Sequence, residues 1–358
     1  MVEDFRSLLN DLLYVTAQQR ASDLHLSPGY YPTVRVDGKL LALSDKGVLN
    51  PAAISGILSF AMQESGASHD TYVNDGEISF TFSLESKARY RVNAYKTRGH
   101  DSIVFRFIPE RIGTFEDLKL PSQISFFTRI SQGLVLVASS DGHGKTTTAA
   151  SLVNLINRER YEKIITVEHP TEYVFYPEKS IIDQREVSLD SPSFGKALEN
   201  ISRKNINVLM VDNIDSPEKM NGALKVAEGG VLVIANIPSP ASGQALEKLI
   251  SFSDPQKGTE TRLRLSNVLS GVISQKLIPR IQGGMIPAVE VVIATPGVRE
   301  LIREKKLGQL NLVIDTSSEY GMMSLNRALA ELVKRNEISV EQAEFYSLNR
   351  TELKSYIR

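Results

Sequence analysis

Ser139-Ser140-Asp141-Gly142-His143-Gly144-Lys145-Thr146 has the spacing of a phosphate-binding loop and lies between the apolar run 134–138 and the helix-like stretch 147–157. Its glycines let backbone N–H groups point inward at phosphate oxygens, Lys145 can reach the β- and γ-phosphates, and Thr146 can place a hydroxyl on Mg²⁺. Apolar residues at helical spacing after Thr147 set a helix N-terminus against the same anion. The pattern G-x-x-x-x-G-K-[ST] opens with glycine, whereas Ser139 stands there, and a side chain fits only where φ is negative. Strand, loop, Lys-Thr and helix in this order predict an α/β domain that binds ATP with Mg²⁺. The expected contacts are Ser139, Ser140, Asp141, Gly142, His143, Gly144, Lys145, Thr146 and Thr147.

At 358 residues the chain is long for one core, so two domains are expected. A formal net charge of −1 offers no electrostatic footprint for nucleic acid or an anionic membrane. The absence of cysteine excludes disulfides, thiolate metal sites and a cysteine nucleophile, and scattered histidines make zinc unexpected. Residues 1–13 mix Glu3, Asp4, Arg6 and Asp11 with apolar positions, which suits neither a signal peptide nor a membrane span. A cytoplasmic protein without membrane insertion or nucleic-acid partner is the expectation.

Outward from the loop, 4–18 reads as an amphipathic helix, Ser22-Asp23-Leu24-His25-Leu26 as a strand, and 32–43 as a hairpin turning at Asp37-Gly38. A helix at 51–63 and strands at 78–84, 90–95 and 103–108 complete a small α+β domain, and 109–121 connects it to the loop domain. Apolar runs at 164–167, 208–211 and 230–235 predict buried parallel strands. The last hundred residues read as mainly helical, with helices at 262–277, 297–304, 324–335 and 339–348 and a hairpin over 279–290.

Several stretches together resemble the type IV pilus retraction ATPases of the secretion-ATPase superfamily. They are Ala21-Ser22-Asp23-Leu24-His25-Leu26, Arg35-Val36-Asp37-Gly38, Arg91-Val92-Asn93, Gln184-Arg185-Glu186-Val187, Val272-Ile273-Ser274-Gln275-Lys276-Leu277 and Val298-Arg299-Glu300-Leu301-Ile302-Arg303-Glu304. The match spans nearly the whole chain. Lack of an extended N-terminal region and of a four-cysteine insertion favours the PilT-like branch. The resemblance implies a PAS-like α+β domain over 1–108, a linker over 109–121, and a RecA-like ATPase domain with a helical C-terminal region over 122–358. It further implies a ring of six subunits that bind ATP between domains.

By position, the resemblance makes Arg91 and Arg106, fifteen residues apart, the pair that reaches the phosphates from the N-terminal domain; read alone, both are equally ordinary strand-face arginines. A guanidinium at the γ-phosphate would neutralise charge developing in phosphoryl transfer. Glu168 and Glu172 match the family's acidic box, with His169 where the family has Asp. Glu168 would hold Mg²⁺ through water or orient the attacking water, while Glu172 reads also as a surface acid. Strand 208–211 ends in Asp212-Asn213, where these motors have Gly-Glu, so Asn213 stands at the catalytic glutamate. An amide orients a water but cannot accept its proton; Asp212 would assist the metal, or serve as base after a register slip. The family's Thr-Leu-His-Thr after the next strand is here Asn236-Ile237-Pro238-Ser239, and Val231 replaces another frequent histidine.

These residues predict a retraction-motor subunit that binds ATP but hydrolyses it slowly or with an active paralogue, in one ring or stacked on an active hexamer. A fully active motor using Glu168 or Asp212 and a non-hydrolysing scaffold are the alternatives. A DNA helicase is disfavoured by the near-neutral charge. The inner-membrane platform protein of the pilus is the expected partner, with the chain peripheral to that membrane at the pilus base. Helix 298–304 has ordinary amphipathic spacing and is carried by the resemblance as a retraction surface.

Overall fold

Alternation of apolar and polar residues in the first hundred positions builds one antiparallel sheet, and the continuous apolar runs beyond residue 130 build a second, largely parallel one. The computed structural model describes residues 2–19, 21–84, 88–108, 110–187, 189–199, 201 and 205–357. Pro109, where the expected linker begins, lies outside them. Two compact units result: Met1–Arg111 with Pro170–Val174, and Ile112–His169 with Phe175–Arg358.

In the first unit, helices α1 (Val2–Gln18), α2 (Pro51–Ser65) and α3 (His69–Asp75) accompany strands β1 (Asp23–Leu26), β2 (Thr33–Val36), β3 (Lys39–Ala42), β4 (Glu77–Leu84), β5 (Ala88–Thr97) and β6 (His100–Ile108). The strand order is β3-β2-β1-β6-β5-β4. Asp37 and Gly38 both take left-handed φ, 48° and 80°, the turn that matches strand twist in a two-residue hairpin. Helix α2 starts because the Asn50 side chain accepts from the Ala53 amide ahead of Pro51, and stops at left-handed Gly66. Its Ile54 and Ile57 are buried with Leu24, Phe82, Tyr90 and Phe105.

The second unit contains β7 (Gly133–Ser139), β8 (Lys163–Glu168), β9 (Ile181–Glu186), β10 (Val208–Val211), β11 (Leu232–Pro238), β12 (Leu269–Pro279) and β13 (Met285–Ile293), ordered β13-β12-β7-β11-β10-β8-β9. Only β13 runs antiparallel to its neighbour. Its helices are α4 (Phe126–Arg129), α5 (Lys145–Glu159), α6 (Phe194–Glu199), α7 (Pro217–Glu228), α8 (Ser242–Ser251), α9 (Gly258–Val268), α10 (Pro296–Arg303), α11 (Leu310–Thr316), α12 (Leu325–Lys334), α13 (Val340–Tyr346) and α14 (Arg350–Ile357). Leu136, Val167, Val211 and Ala235 enter the main core with residues of α6, α7 and α8. Alternate residues, including Glu168, Asp212 and Asn236, are therefore directed by the pleat to the other face.

The helix expected over 262–277 is corrected. Helix α9 ends at Val268, and β12 occupies the remainder beside β7, supplying the partner that the edge of β7 needs. Branched Val272 and Ile273 favour the strand, and Gly271 admits close approach by Phe127 and the Val292 carbonyl. The hairpin expected over 279–290 also begins earlier, its strands being β12 and β13 with Gly283 and Gly284 in the turn. Strand β11 runs three residues beyond the expected 235, so Asn236, Ile237 and Pro238 lie inside a strand rather than after it. Proline is tolerated because Ser239, next along, donates to Ser139 O (3.1 Å) on the β7 side, leaving the Pro238 nitrogen facing the side where β10 has ended.

Glu290 of β13 is buried, and burial pushes its carboxyl up against hydrogen bonds from the Ser242 amide (3.2 Å) and Leu325 backbone and the attraction of Lys276. With the folded value above the unfolded one, the native state retains a proton that the unfolded chain releases. Stability from this group is therefore present at low pH and lost as pH rises through the raised value. Urea midpoints measured between about pH 5 and 8 should fall less in Glu290→Gln than in the parent.

Candidate nucleotide-binding site

Strand β7 delivers the chain to the loop at Ser139, and α5 starts at Lys145. Gly142 and Gly144 adopt φ of 79° and 85°; Ser139 is absent from the positive-φ residues, so its side chain brings no strain. The Ser139 hydroxyl donates to Ser140 O at 2.8 Å. A Cβ at Gly142 would meet nothing within 4 Å, which leaves open space over the middle of the loop.

The side chain of Lys145 is 7% exposed, and its ammonium donates to Ser139 O (3.1 Å), Ser140 O (3.4 Å) and Asp141 Oδ1 (2.9 Å). Two carbonyls thus aim the ammonium, while the third oxygen belongs to a carboxylate 88% exposed at the loop surface. Thr146 follows in the first turn of α5 with a partly exposed side chain.

Parallel register brings the acids into line. Val211 pairs with Val167 and with Ala235, and Asp212 N continues the ladder to Val167 O at 3.0 Å. Glu168, Asp212 and Asn236 therefore occupy the next row at the carboxyl edge of the sheet, where open α/β sheets bind ligands. Glu168 is buried and accepts from Thr166 Oγ1 (2.7 Å) and Gln184 Nε2 (3.4 Å). Asn213 follows directly; its Oδ1 is buried without a hydrogen-bond partner among the described residues, as are both amide atoms of Asn236. Orphaned buried amides at this edge mark places for water or ligand atoms. Hydroxyl and carboxylate oxygens at Thr146, Glu168 and Asp212 suit Mg²⁺ in kind. Among the described residues no group of three or more His, Cys, Asp or Glu side chains could hold a metal unaided, so a cation would depend on phosphate oxygens and water. The donor set fits a magnesium nucleotide.

In the first unit, Arg91 and Arg106 are direct cross-strand partners, and the row continues through Asp23 to Arg35. Each of the two is paired with a carboxylate: Arg91 Nη1 donates to Glu172 Oε1 at 2.6 Å, and Arg106 Nε to Asp23 Oδ1 at 2.8 Å. Glu172 belongs to the segment Pro170–Val174, which Arg89 also grips through the carbonyls of Thr171 and Glu172, each at 3.0 Å. His169 turns from the acids, its Nδ1 donating to Val187 O at 3.0 Å.

Arg299 turns onto the carbonyls of Ser266, Asn267 and Ala294. The end of α9 lacks intrahelical donors and attracts a cation there. Gln275, a buried amide on β12 between Ser274 and Lys276, is bonded to both the loop and α5, a role that its polar neighbours in the sequence do not signal.

A family model described as "Type II/IV secretion system protein" matches residues 3–341. The type IV pilus retraction ATPase PilT of Pseudomonas aeruginosa is 33% identical over 335 residues, covering 94% of this chain and 96% of its own. The type IV pilus ATPase PilU of that species is 30% identical over 348 residues, covering 97% and 90%. The crystal structure of the pilus retraction motor PilT with bound ADP matches with a TM-score of 0.81 at 32% identity, over 96% of this chain and 98% of that one. No helix among the described residues is long and apolar enough to cross a membrane. Loop, sheet and whole-chain similarity agree: the chain belongs to the type II/IV secretion system ATPase family, within the branch of PilT- and PilU-type pilus retraction ATPases.

Proposed function

We propose that this chain is an ATP-binding subunit of a type IV pilus retraction motor whose hydrolysis is weak or depends on an active paralogue. The observation that carries the reading is an intact Lys145-Thr146 loop on the same sheet edge as an amide, Asn213, at the end of β10. Loop N–H groups and Lys145 would hold phosphates, and Thr146, Asp212 and Glu168 would hold Mg²⁺. The metal supplies neutralisation of charge on the phosphoryl oxygens. Asn213 orients a water through Oδ1 and leaves its proton untransferred. Arg91 and Arg106 serve as phosphate-sensing cations, which requires exchange of Glu172 and Asp23 for phosphate oxygens. From the family resemblance, 1–108 is PAS-like, 109–121 a linker and 122–358 RecA-like. The same resemblance supports a ring of six, or a mixed ring, working on the inner-membrane platform protein at the cytoplasmic base of the pilus.

ATP binding by the purified chain, with phosphate release measurable only after an active paralogue is added, is the expected result; vigorous release by the chain alone overturns the weak-hydrolysis reading. Asp141 sharpens the binding half. Its carboxylate competes with phosphate for Lys145 and repels it, at about 1 kcal/mol per charge pair near 4 Å in water. Asp141→Ser should therefore tighten ADP binding about fivefold to tenfold in calorimetry, and added salt should shrink the gain.

The shared row of Asp212 and Glu168 favours a second reading, an active motor with one of these acids as base. Glu168→Gln should then slow phosphate release by at least about 100-fold with ADP affinity retained. Unchanged release removes Glu168 from that role.

A further inference from the structure

We infer that Gln275 is a positioning residue for the phosphate-binding loop: its side-chain amide sets the direction in which the His143–Gly144 peptide offers its N–H to a diphosphate. This rests on the nucleotide-binding role proposed above. Gln275 is 2% exposed within β12, so its amide must be satisfied internally. Its Nε2 donates to His143 O at 2.6 Å, and its Oε1 accepts from Thr148 Oγ1 of α5 at 2.7 Å. One strand residue thus ties the loop to the first turn of the helix that follows it.

The consequence for phosphate comes from peptide geometry. A trans peptide is planar, with C=O and N–H pointing in opposite directions. Drawing His143 O toward β12 turns the Gly144 N–H away from β12 and into the loop, where such groups meet phosphate oxygens. The hold is double, because Leu277 N donates to His143 Nδ1 at 3.0 Å. Burial, then the charges of Lys276 and Lys145, push the imidazole down, which keeps Nδ1 free to accept. Glycine and glutamine are matched: Gly144 has φ 85°, and a Cβ there would stand 2.8 Å from Gln275 Nε2.

Calorimetric titration with ADP in Mg²⁺ tests the assignment. Gln275→Leu removes both amide groups; Gln275→Glu keeps the acceptor for Thr148 and loses the donor to His143. Each should weaken ADP binding about tenfold, the worth of one well-placed hydrogen bond, while the urea midpoint falls because buried partners lose their bonds but leaves the variant folded during the titration. Thr148→Val, which frees the amide to turn, should weaken binding in the same direction, and Thr148→Ser should restore it. Should Gln275→Leu fail to fold, Gln275→Glu and the Thr148 pair give the answer. ADP affinity within about twofold of the parent in the folded variants overturns the inference alone, as does affinity lost only in step with stability. A parent chain that binds no ADP overturns both this inference and the nucleotide reading beneath it.

Discussion

Asn213→Glu should raise phosphate release by roughly 10²- to 10⁴-fold, the range that general-base assistance supplies. The position is prepared for it. Asn213 stands immediately beyond β10 with Oδ1 buried and unpartnered among the described residues, so the native amide does not serve as a structural bond there. A carboxylate in the same place would be short of donors and partly desolvated, which raises its pKa toward the operating pH and improves it as a base. ADP affinity should stay within about threefold, because the groups proposed to hold phosphate lie on the loop rather than on β10. Phosphate release by the purified variant alone, without a paralogue, is the measurement.

Pro238 offers a second test of the same proposal. It lies on β11, the strand next to β10, where the family resemblance would put a histidine, and its carbonyl accepts from Lys248 Nζ at 2.7 Å. That bond uses backbone and survives substitution, so Asn213→Glu with Pro238→His tests the imidazole without dismantling the end of β11. A larger gain in the double variant would assign part of the proposed deficit to the lack of an imidazole at position 238. No gain in Asn213→Glu, together with lost turnover in Asp212→Asn, would instead make Asp212 the base and Asn213 a neutral replacement.

What the sequence disclosed follows from how local each determinant is. Runs 134–138, 164–167 and 208–211 read as strands because parallel strands buried on both faces lose their alternation. Asp37-Gly38 read as a hairpin because two left-handed residues in succession select that chemistry. The strand, glycine turn and helix start around the loop were equally legible, because they lie close together in the chain. Region 262–277 misled because apolar spacing continues across the end of α9, and only the vacant edge of β7 makes the second half a strand. Edge strand β9 carries Asp183, Gln184, Arg185 and Glu186 in sequence, so no apolar run announces it. The site's supporting bonds were invisible for a related reason. Gln275 meets His143 across 132 residues, and Arg91 meets Glu172 across 81, so pairing depends on a fold that neither residue encodes locally.

Lys145→Ala should weaken ADP binding by at least about 10²-fold, since it deletes charge-assisted hydrogen bonds to phosphate worth about 1.5–3 kcal/mol each. This loss should not come from unfolding. Ser139 O still accepts from Ser239 N (3.1 Å), and Ser140 O from Ser139 Oγ (2.8 Å) and His143 N (3.3 Å), so both loop carbonyls keep donors when the ammonium goes. Asp141 is 88% exposed, so its carboxylate is already hydrated. The urea midpoint should therefore report a change of no more than about 1 kcal/mol, against a far larger change in binding. Lys145→Arg separates charge from geometry. A planar guanidinium needs a wider seat than an ammonium aimed by two carbonyls in a side chain 7% exposed, so arginine should recover only a minor part of the affinity. Full recovery with arginine would mean that the loop reads charge alone and that the carbonyls aiming Lys145 have no part in binding.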